Sequence, residues 1–232
     1  MKIGIMQPYF LPYLGYFQLI REVDIFVLTD DYEFSKGGWI NRNRIIQNNE
    51  VKYLTIPLKA ASDYSKISER VISENYSGLK SFNAVKSSYQ SKEYFDENST
   101  IMERILINRE RNLFSYIEQS IKILSEVFDF KTNTMLTSNF SLNPKLSGQD
   151  KIIKICNDLN ASCYVNLPGG KSLYEPEVFL QNGIDLKFLK PKLKPYPQGK
   201  VEFTPNLSVI DVLFNNGLES VANNHLPSYS LE

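Results

Sequence analysis

The sequence predicts an α/β protein with a mainly parallel sheet flanked by helices, in a Rossmann-like arrangement. Short apolar segments typical of buried strands alternate with segments whose apolar residues recur at helical spacing. Polar or glycine-rich residues follow several apolar segments directly, as in sheets that bind ligands beyond the carboxyl ends of their strands. The 232 residues suffice for one domain with a substantial core. We therefore expect a single α/β domain over residues 1–230.

Each element follows from a local pattern, in chain order. Residues 2–6 form an apolar strand that ends at Pro8, since proline removes a ladder donor. Residues 14–23 follow Pro12 and show helical spacing, and residues 24–29 form a second strand. The same arguments predict further strands over residues 51–57, 71–72, 134–138, 162–166 and 185–189, and helices over residues 78–89, 100–128, 148–159, 175–181 and 209–215.

Two segments stand apart from this alternation. Residues 78–130 are mainly helical and form an insertion in the α/β pattern. A polar stretch over residues 59–65 is expected to be a loop. The terminal pair, residues 231–232, resembles a cloning scar before a purification tag, and we set it aside.

The composition excludes several classes of protein. Lysine plus arginine equals aspartate plus glutamate at 26 each, which argues against nucleic-acid partners and a polybasic membrane patch. No cleavage site follows the first apolar residues, and no apolar run approaches the roughly 20 residues of a membrane span. We expect a cytoplasmic protein without a membrane span. One histidine excludes a histidine-rich metal site, and Cys156 and Cys163 lack metal-ligand spacing, so no metal is expected.

The segment from Gln7 to Gln18 is the first candidate site. It combines a strand end, a loop and a helix start with two glutamines and several aromatic side chains. Core packing around the helix start would explain the rings but not the glutamines. Free backbone amides at such a junction favour ligand binding. We predict that Gln7, Tyr9, Tyr13 and Gln18 line a pocket.

The second candidate is the carboxylate pair Asp30 and Asp31, which follows the second strand. Beyond the strand end both side chains can turn toward the site and accept a proton, hold a sugar hydroxyl or bind Mg²⁺. A turn with solvated charges is the alternative, and it weighs more for Asp31 than for Asp30.

Residues 38–44 supply a third set. Trp39 offers an apolar face for a base or a sugar ring, and Asn41 and Asn43 offer both a donor and an acceptor. Arg42 presents a planar fork suited to phosphate or carboxylate. The alternation places both asparagines on one face of a strand and both arginines on the other.

A glycine-rich turn supplies the fourth set, between a predicted strand and a predicted helix. Gly169 and Gly170 allow a ligand to approach the backbone, Asn166 precedes them and Lys171 adds a positive charge. The segment is not a phosphate-binding Walker motif, because Val165 stands where that motif requires glycine. A tight strand-to-helix turn is the alternative.

These motifs together resemble the WbqC-like family, nearly end to end. The resemblance implies a bacterial cytoplasmic protein connected with O-antigen or other surface polysaccharides, and transfer of an acyl or aminoacyl group to an amino sugar. Tyr32 and Glu33 stand where relatives often carry Val-Gln. The segments that carry the resemblance are MQPYFLPYLGYFQLI (6–20), DD (30–31), GWINRNRI (38–45), YVNLPGG (164–170) and FTPNLSVIDVLFNNG (203–217).

A weaker resemblance is to adenylyl-transferring α/β enzymes of the pantoate synthetase type. Their strand, loop and helix start look like residues 12–20, and the resemblance implies a nucleotidyltransferase-like (HUP-like) variant of the fold. The histidine of their motif is Tyr16 here, so transfer through that histidine is not expected.

The sequence therefore suggests a transferase that forms an amide on a nucleotide-linked amino sugar, as the resemblance implies. We predict Asp30 as the base, with Gln7 and Asn41 as its catalytic partners in orienting substrate or stabilising an oxyanion. No cofactor is certain, and CoA, a carrier protein or ATP with Mg²⁺ are candidate donors. The alternatives are an ATP-dependent adenylate-forming enzyme and a non-catalytic module that binds sugar nucleotides. The partner is a small molecule, and a homodimer stays open.

Overall fold

The chain folds around a six-stranded sheet in the order β5-β2-β1-β6-β7-β8. We describe it from a computed structural model, which describes residues 1–62, 64–199 and 202–232. Every neighbouring pair is parallel except β7 and β8. The strands are β1 (Lys2–Met6), β2 (Ile25–Leu28), β5 (Asn133–Leu136), β6 (Cys163–Asn166), β7 (Asp185–Pro191) and β8 (Tyr229–Leu231), and a separate antiparallel hairpin holds β3 (Arg42–Gln47) and β4 (Glu50–Thr55).

Helices cover both faces of the sheet, and this confirms the predicted α/β class. Alternation along β1 directs Ile3 and Ile5 to the face that packs against α5 and α6, while Gly4 faces Leu19 of α1. The other helices contribute to the larger core on the α1 side. The helices are α1 (Leu14–Glu22), α2 (Gly78–Tyr89), α3 (Phe95–Leu106), α4 (Leu113–Val127), α5 (Gly148–Asp158), α6 (Pro176–Gln181) and α7 (Val209–Asn216).

The strand order places a topological switch point between β1 and β6. The chain moves outward from β1 through β2 to β5, then returns to the other side of β1 and continues through β6 to β7. In open parallel sheets the loops after the two central strands diverge at such a point and leave a crevice for a ligand. The carboxyl ends of β1 and β6 carry Met6 and Asn166.

Two predicted elements need correction. The helix expected over residues 100–128 is two helices, α3 and α4, because the polar residues between them break the apolar spacing and Asn112 caps α4 by accepting a hydrogen bond from the Ser115 amide at 3.1 Å. Residues 71–72 form only isolated bridges rather than a strand. The predicted loop over residues 59–65 includes residue 63, which lies outside the described residues.

The hairpin and the last strand were not predicted as pairs. Asn48 and Asn49 both adopt positive φ (54° and 59°), which is the requirement of a two-residue hairpin turn that asparagine tolerates. The strand β8 lies antiparallel to β7, and Glu232 exchanges backbone hydrogen bonds with Phe188. The pair that we set aside, residues 231–232, thus lies along β7.

A buried carboxylate joins three parts of the fold. Asp211 in α7 is fully buried, and it accepts hydrogen bonds from the hydroxyls of Tyr89 (2.9 Å) and Tyr196 (2.8 Å) and from the Gln198 amide (3.0 Å). Burial raises the pKa of Asp211, against the effect of these three donors. Asp211 also lies in the first turn of α7, where the helix dipole favours a negative charge.

Within the described part of the chain, no helix has the length and apolar character needed to cross a membrane.

Candidate functional site

A cleft of about 450 Å³ opens at the switch point, and we call it the switch-point cleft. It lies beyond the carboxyl ends of β1 and β6, where the fold class places ligands. Its described lining contains no acidic or basic side chain. The lining residues are Ile5, Met6, Gln7, Tyr9, Tyr13, Thr29, Tyr32, Trp39, Ile152, Asn166, Leu167, Gly169, Gly170, Leu173 and Tyr174.

Several polar groups of the cleft have no hydrogen-bond partner in the part of the chain that the structure describes. Thr29 is 2% exposed, and neither its hydroxyl nor that of Tyr32 has a hydrogen-bond partner among the described residues, although both oxygens are buried. The side chain of Gln7 also lacks a partner within the described residues, while its carbonyl accepts from the Tyr16 hydroxyl at 2.9 Å. Buried hydroxyls without a partner cost free energy, so such groups are usually satisfied by a ligand or water.

Burial keeps the tyrosines of the cleft protonated. It raises the pKa of Tyr32 to about 12, with a further contribution from the charge of Asp31, and it raises the pKa values of Tyr9 and Tyr13. These phenols therefore act as neutral hydrogen-bond donors and acceptors at neutral pH.

Asn166 positions one wall of the cleft. Its amide nitrogen donates to the hydroxyls of Tyr164 (3.1 Å) and Tyr174 (3.2 Å), and its oxygen accepts from the Leu167 amide at 2.7 Å. Only 6% of the residue is exposed. Asn166 thus fixes the Tyr174 ring. Because its side-chain atoms are engaged in these hydrogen bonds, its neighbours are better placed than Asn166 itself to contact a substrate.

A second cavity of about 460 Å³ adjoins the cleft at the N-terminal end of α5. The two cavities share the wall formed by Tyr32, Ile152, Leu173 and Tyr174. Tyr32 therefore lines both cavities.

The structure brings seven of the predicted site residues to the switch-point cleft. They come from the ends of β1 and β6 and from the loop before β3, which lie far apart in sequence. These residues are Gln7, Tyr9, Tyr13, Trp39, Asn166, Gly169 and Gly170.

Gln18 and Asn43 lie elsewhere, which corrects their predicted places in a pocket. Gln18 is fully buried and donates to the carbonyls of His225 (2.8 Å) and Ser228 (3.0 Å), so it ties α1 to the C-terminal segment. Asn43 donates to the carbonyls of Phe10 (3.1 Å) and Leu11 (2.8 Å) and holds the loop before α1.

Three further predicted residues lie outside the switch-point cleft. Lys171 pairs with Glu232, with its Nζ 2.8 Å from Oε2. Asn41 donates to the Ile56 carbonyl at 2.8 Å and, with Arg42, lines a different pocket.

Asp30 and Asp31 also lie outside the cleft lining, and this corrects the prediction that their side chains turn toward the site. Asp30 is 8% exposed and accepts from the Thr137 hydroxyl (2.9 Å) and the Ser138 amide (3.0 Å). Asp31 accepts from the same hydroxyl. Burial alone would raise the pKa of Asp30, but the hydrogen bonds from Ser138 and Thr137 outweigh it and lower the pKa. A carboxylate held in this way is a weak base, and it anchors the segment that carries Thr29 and Tyr32.

The lowered pKa of Asp30 predicts a pH-dependent contribution to stability. A carboxyl whose folded pKa lies below its unfolded value stabilises fully above the unfolded value, and this contribution is lost as pH falls through the folded value. Asp30→Ala is expected to lower the free energy of unfolding by about 1–3 kcal/mol at neutral pH, with a smaller difference in acid. Urea denaturation of both proteins at several pH values measures this. An exposed carboxylate variant, Asp129→Asn, serves as the control, and an Asp30→Ala cost that is equal at all pH values would contradict the prediction.

Sequence reasoning missed Thr29 and Tyr32 as cleft residues. Thr29 ends the predicted strand and carries no signal of its own. Tyr32 had a signal, since it stands directly after the carboxylate pair, where the chain departs from the pattern of the resembling family.

Together the fold and the cleft define an α/β protein with a candidate ligand site at the switch point of a mainly parallel sheet. The chain belongs to the WbqC-like protein family, whose profile matches residues 7–223. It is similar to the uncharacterized protein Rv1507c of Mycobacterium tuberculosis, with 25% identity over 222 residues that cover 94% of this chain and 95% of the relative. No solved structure matches the chain significantly.

Proposed function

We propose that the switch-point cleft binds the sugar of a nucleotide-linked amino sugar and that the protein transfers an acyl or aminoacyl group to the sugar's amino group. The observation that carries this proposal is the set of buried, unpartnered hydroxyls on an uncharged aromatic lining. A sugar ring offers hydroxyls for Thr29, Tyr32 and Gln7, and apolar ring faces for the aromatic side chains.

The two adjoining cavities support a transfer between two substrates. The amino sugar occupies the switch-point cleft in this proposal, and the activated acyl group occupies the cavity beside α5. The amine nitrogen attacks the acyl carbonyl carbon, the leaving group departs with its electron pair, and the amine proton passes to the leaving group or to water. Because Tyr32 lines both cavities and its hydroxyl has no partner among the described residues, we assign this hydroxyl as the donor to the developing oxyanion.

In this proposal the protein accelerates the reaction mainly by positioning the amine of the sugar against the acyl group. The described lining holds no charged group, so the amine must lose its proton without a strong base in the cleft. An amine beside the electron-withdrawing oxygens of a sugar is less basic than a lysine, which makes the neutral form accessible near neutral pH. Holding this amine against the acyl carbon provides the rate enhancement.

The direct test removes a single hydroxyl. Tyr32→Phe is expected to weaken binding of a nucleotide-linked amino sugar, such as UDP-glucosamine, by about tenfold, because one hydrogen bond to the ligand is lost. Isothermal titration calorimetry measures the affinity. Tyr64→Phe is the matched control, because Tyr64 is 79% exposed and does not line the cleft.

The transfer itself is tested by mass spectrometry. Incubation of the protein with UDP-glucosamine and an acyl-CoA, or with an amino acid, ATP and Mg²⁺, is expected to yield the amide with release of the leaving group. Equal affinity of Tyr32→Phe and the unmodified protein for the sugar would contradict the proposed site. Tight binding without product from any donor would instead favour a binding module.

A further inference from the structure

A separate pocket of about 260 Å³ has the opposite electrostatic character to the switch-point cleft. We call it the cationic pocket, because three of the eight lining residues that the structure describes are cationic and none of those eight is acidic. It shares no lining residue with the switch-point cleft. The lining residues are Phe34, Lys36, Gly37, Asn41, Arg42, Thr55, Leu58 and Arg70.

Arg70 is buried there and pairs with no carboxylate of the described residues. It is 5% exposed, and its guanidinium lies 4.7 Å from the centre of the Phe34 ring. Its terminal nitrogens donate to the carbonyls of Ser62 and Lys59 at 3.4 Å each, and its Nε has no partner among the described residues. Burying a charged group costs free energy because the charge loses its contact with water. Buried charges are therefore usually compensated by an opposite charge.

Arg42 adds a second guanidinium to the pocket, and it is half-buried. Its nitrogens donate to the carbonyls of Gly38 (3.2 Å) and Gly37, and its guanidinium lies 4.6 Å from the centre of the Tyr53 ring. No salt bridge joins Arg42 or Arg70 to a carboxylate within the described ranges. Carbonyl groups orient these side chains, and the described part of the chain supplies no counterion for their positive charges.

The backbone holds both arginines in fixed positions. Arg42 begins β3 and pairs with Thr55 of β4, while the amide and carbonyl of Arg70 bond to Ile67 and Leu113. The pocket is thus preorganised on the hairpin and on the turn before α2. Preorganised guanidinium groups suit a phosphate, which accepts hydrogen bonds from several directions.

We infer that the cationic pocket binds a phosphate group through Arg42 and Arg70, and that a nucleoside diphosphate supplies it. The segment from Gly37 to Arg42 contributes Trp39 to the switch-point cleft and Arg42 to this pocket, so one ligand with a sugar and a diphosphate can engage both. The choice of a sugar nucleotide as the source rests on the proposed function. The phosphate site itself rests only on the cationic pocket.

Titration with UDP and with pyrophosphate tests this site. Arg42→Gln and Arg70→Lys are each expected to weaken binding of both probes by about 10- to 100-fold, because each variant loses a charge-assisted hydrogen bond to the phosphate. Arg70→Lys keeps the positive charge but loses the planar, two-pronged guanidinium group. Lys52→Gln is the control, because it removes a positive charge from the same hairpin at an exposed position that pairs with Glu50. Calorimetry gives the affinities, and thermal denaturation identifies any variant that is unfolded.

The outcomes separate this inference from the proposed function. The cationic pocket is supported if added salt lowers the affinity of the unmodified protein for UDP and pyrophosphate and lowers the affinity of Arg42→Gln far less. Absence of UDP and pyrophosphate binding, or an equal loss in Lys52→Gln, overturns it. Free glucosamine, which carries no phosphate, reports on the switch-point cleft through Tyr32→Phe. Sugar binding without phosphate binding would therefore remove this inference and leave the proposed function standing.

Discussion

Replacing Asp211 with alanine is expected to lower the free energy of unfolding by about 3–5 kcal/mol, the largest effect that we predict for a single substitution. The carboxylate accepts from Tyr89, Tyr196 and Gln198, and the residue is fully buried. Alanine leaves all three donors without an acceptor in a place that water does not reach. Urea denaturation followed by circular dichroism measures the change.

A second carboxylate offers a matched control for Asp211. Asp150 also lies in the first turn of its helix, α5, where it is exposed and faces the helix N-terminus. Asp150→Ala is expected to cost about 1 kcal/mol or less, the scale of an interaction with a helix dipole. Equal losses in the two variants would show that Asp211 acts only at its helix end and that the buried hydrogen bonds contribute little.

The Gly170→Ala substitution is expected to reduce sugar-nucleotide affinity by about 10- to 100-fold and stability by about 1–3 kcal/mol. A β-carbon at this position would lie 2.7 Å from the Asn166 amide nitrogen and 3.3 Å from a ring carbon of Tyr174. Asn166 cannot move freely, because its three hydrogen bonds hold it against Tyr164, Tyr174 and Leu167. The added methyl group therefore displaces the wall of the switch-point cleft.

The neighbouring glycine provides the comparison. A β-carbon at Gly169 meets no atom within 4 Å, although Gly169 also lines the cleft. Gly169→Ala is expected to leave affinity and stability nearly unchanged. Calorimetric titration with UDP-glucosamine and thermal denaturation of both variants measure the contrast. Similar behaviour of the two alanine variants would contradict the positioning role of Asn166.

Local patterns predicted most of the fold. Five strands of the sheet coincide with short segments predicted from composition and spacing, and the sixth, β8, was not predicted. The errors in the predicted elements occurred where polar residues determine the local structure. Asn112 divides α3 from α4 as a helix cap, and the pair Asn48 and Asn49 forms a hairpin turn that the prediction did not use.

The candidate site was predicted less completely than the fold. The ends of β1 and β6 were recognised from Gln7 and the glycine pair, since residues beyond parallel strands meet at one edge. The orientation of side chains was not predictable in the same way. Gln18 and Asn43 looked like ligand contacts because they are polar, yet both satisfy backbone carbonyls in the interior.

The sequence by itself determined the α/β class, the positions of most strands and the family, because these depend on spacing and on motifs that are continuous in the chain. Only the tertiary structure decided which polar groups remain unpartnered. Asp30 proved to be held by Thr137 and Ser138, more than 100 positions away, while the hydroxyls of Thr29 and Tyr32 have no partner among the described residues. Whether a polar side chain is available to a ligand depends on partners that folding brings from distant segments, and no local pattern records them.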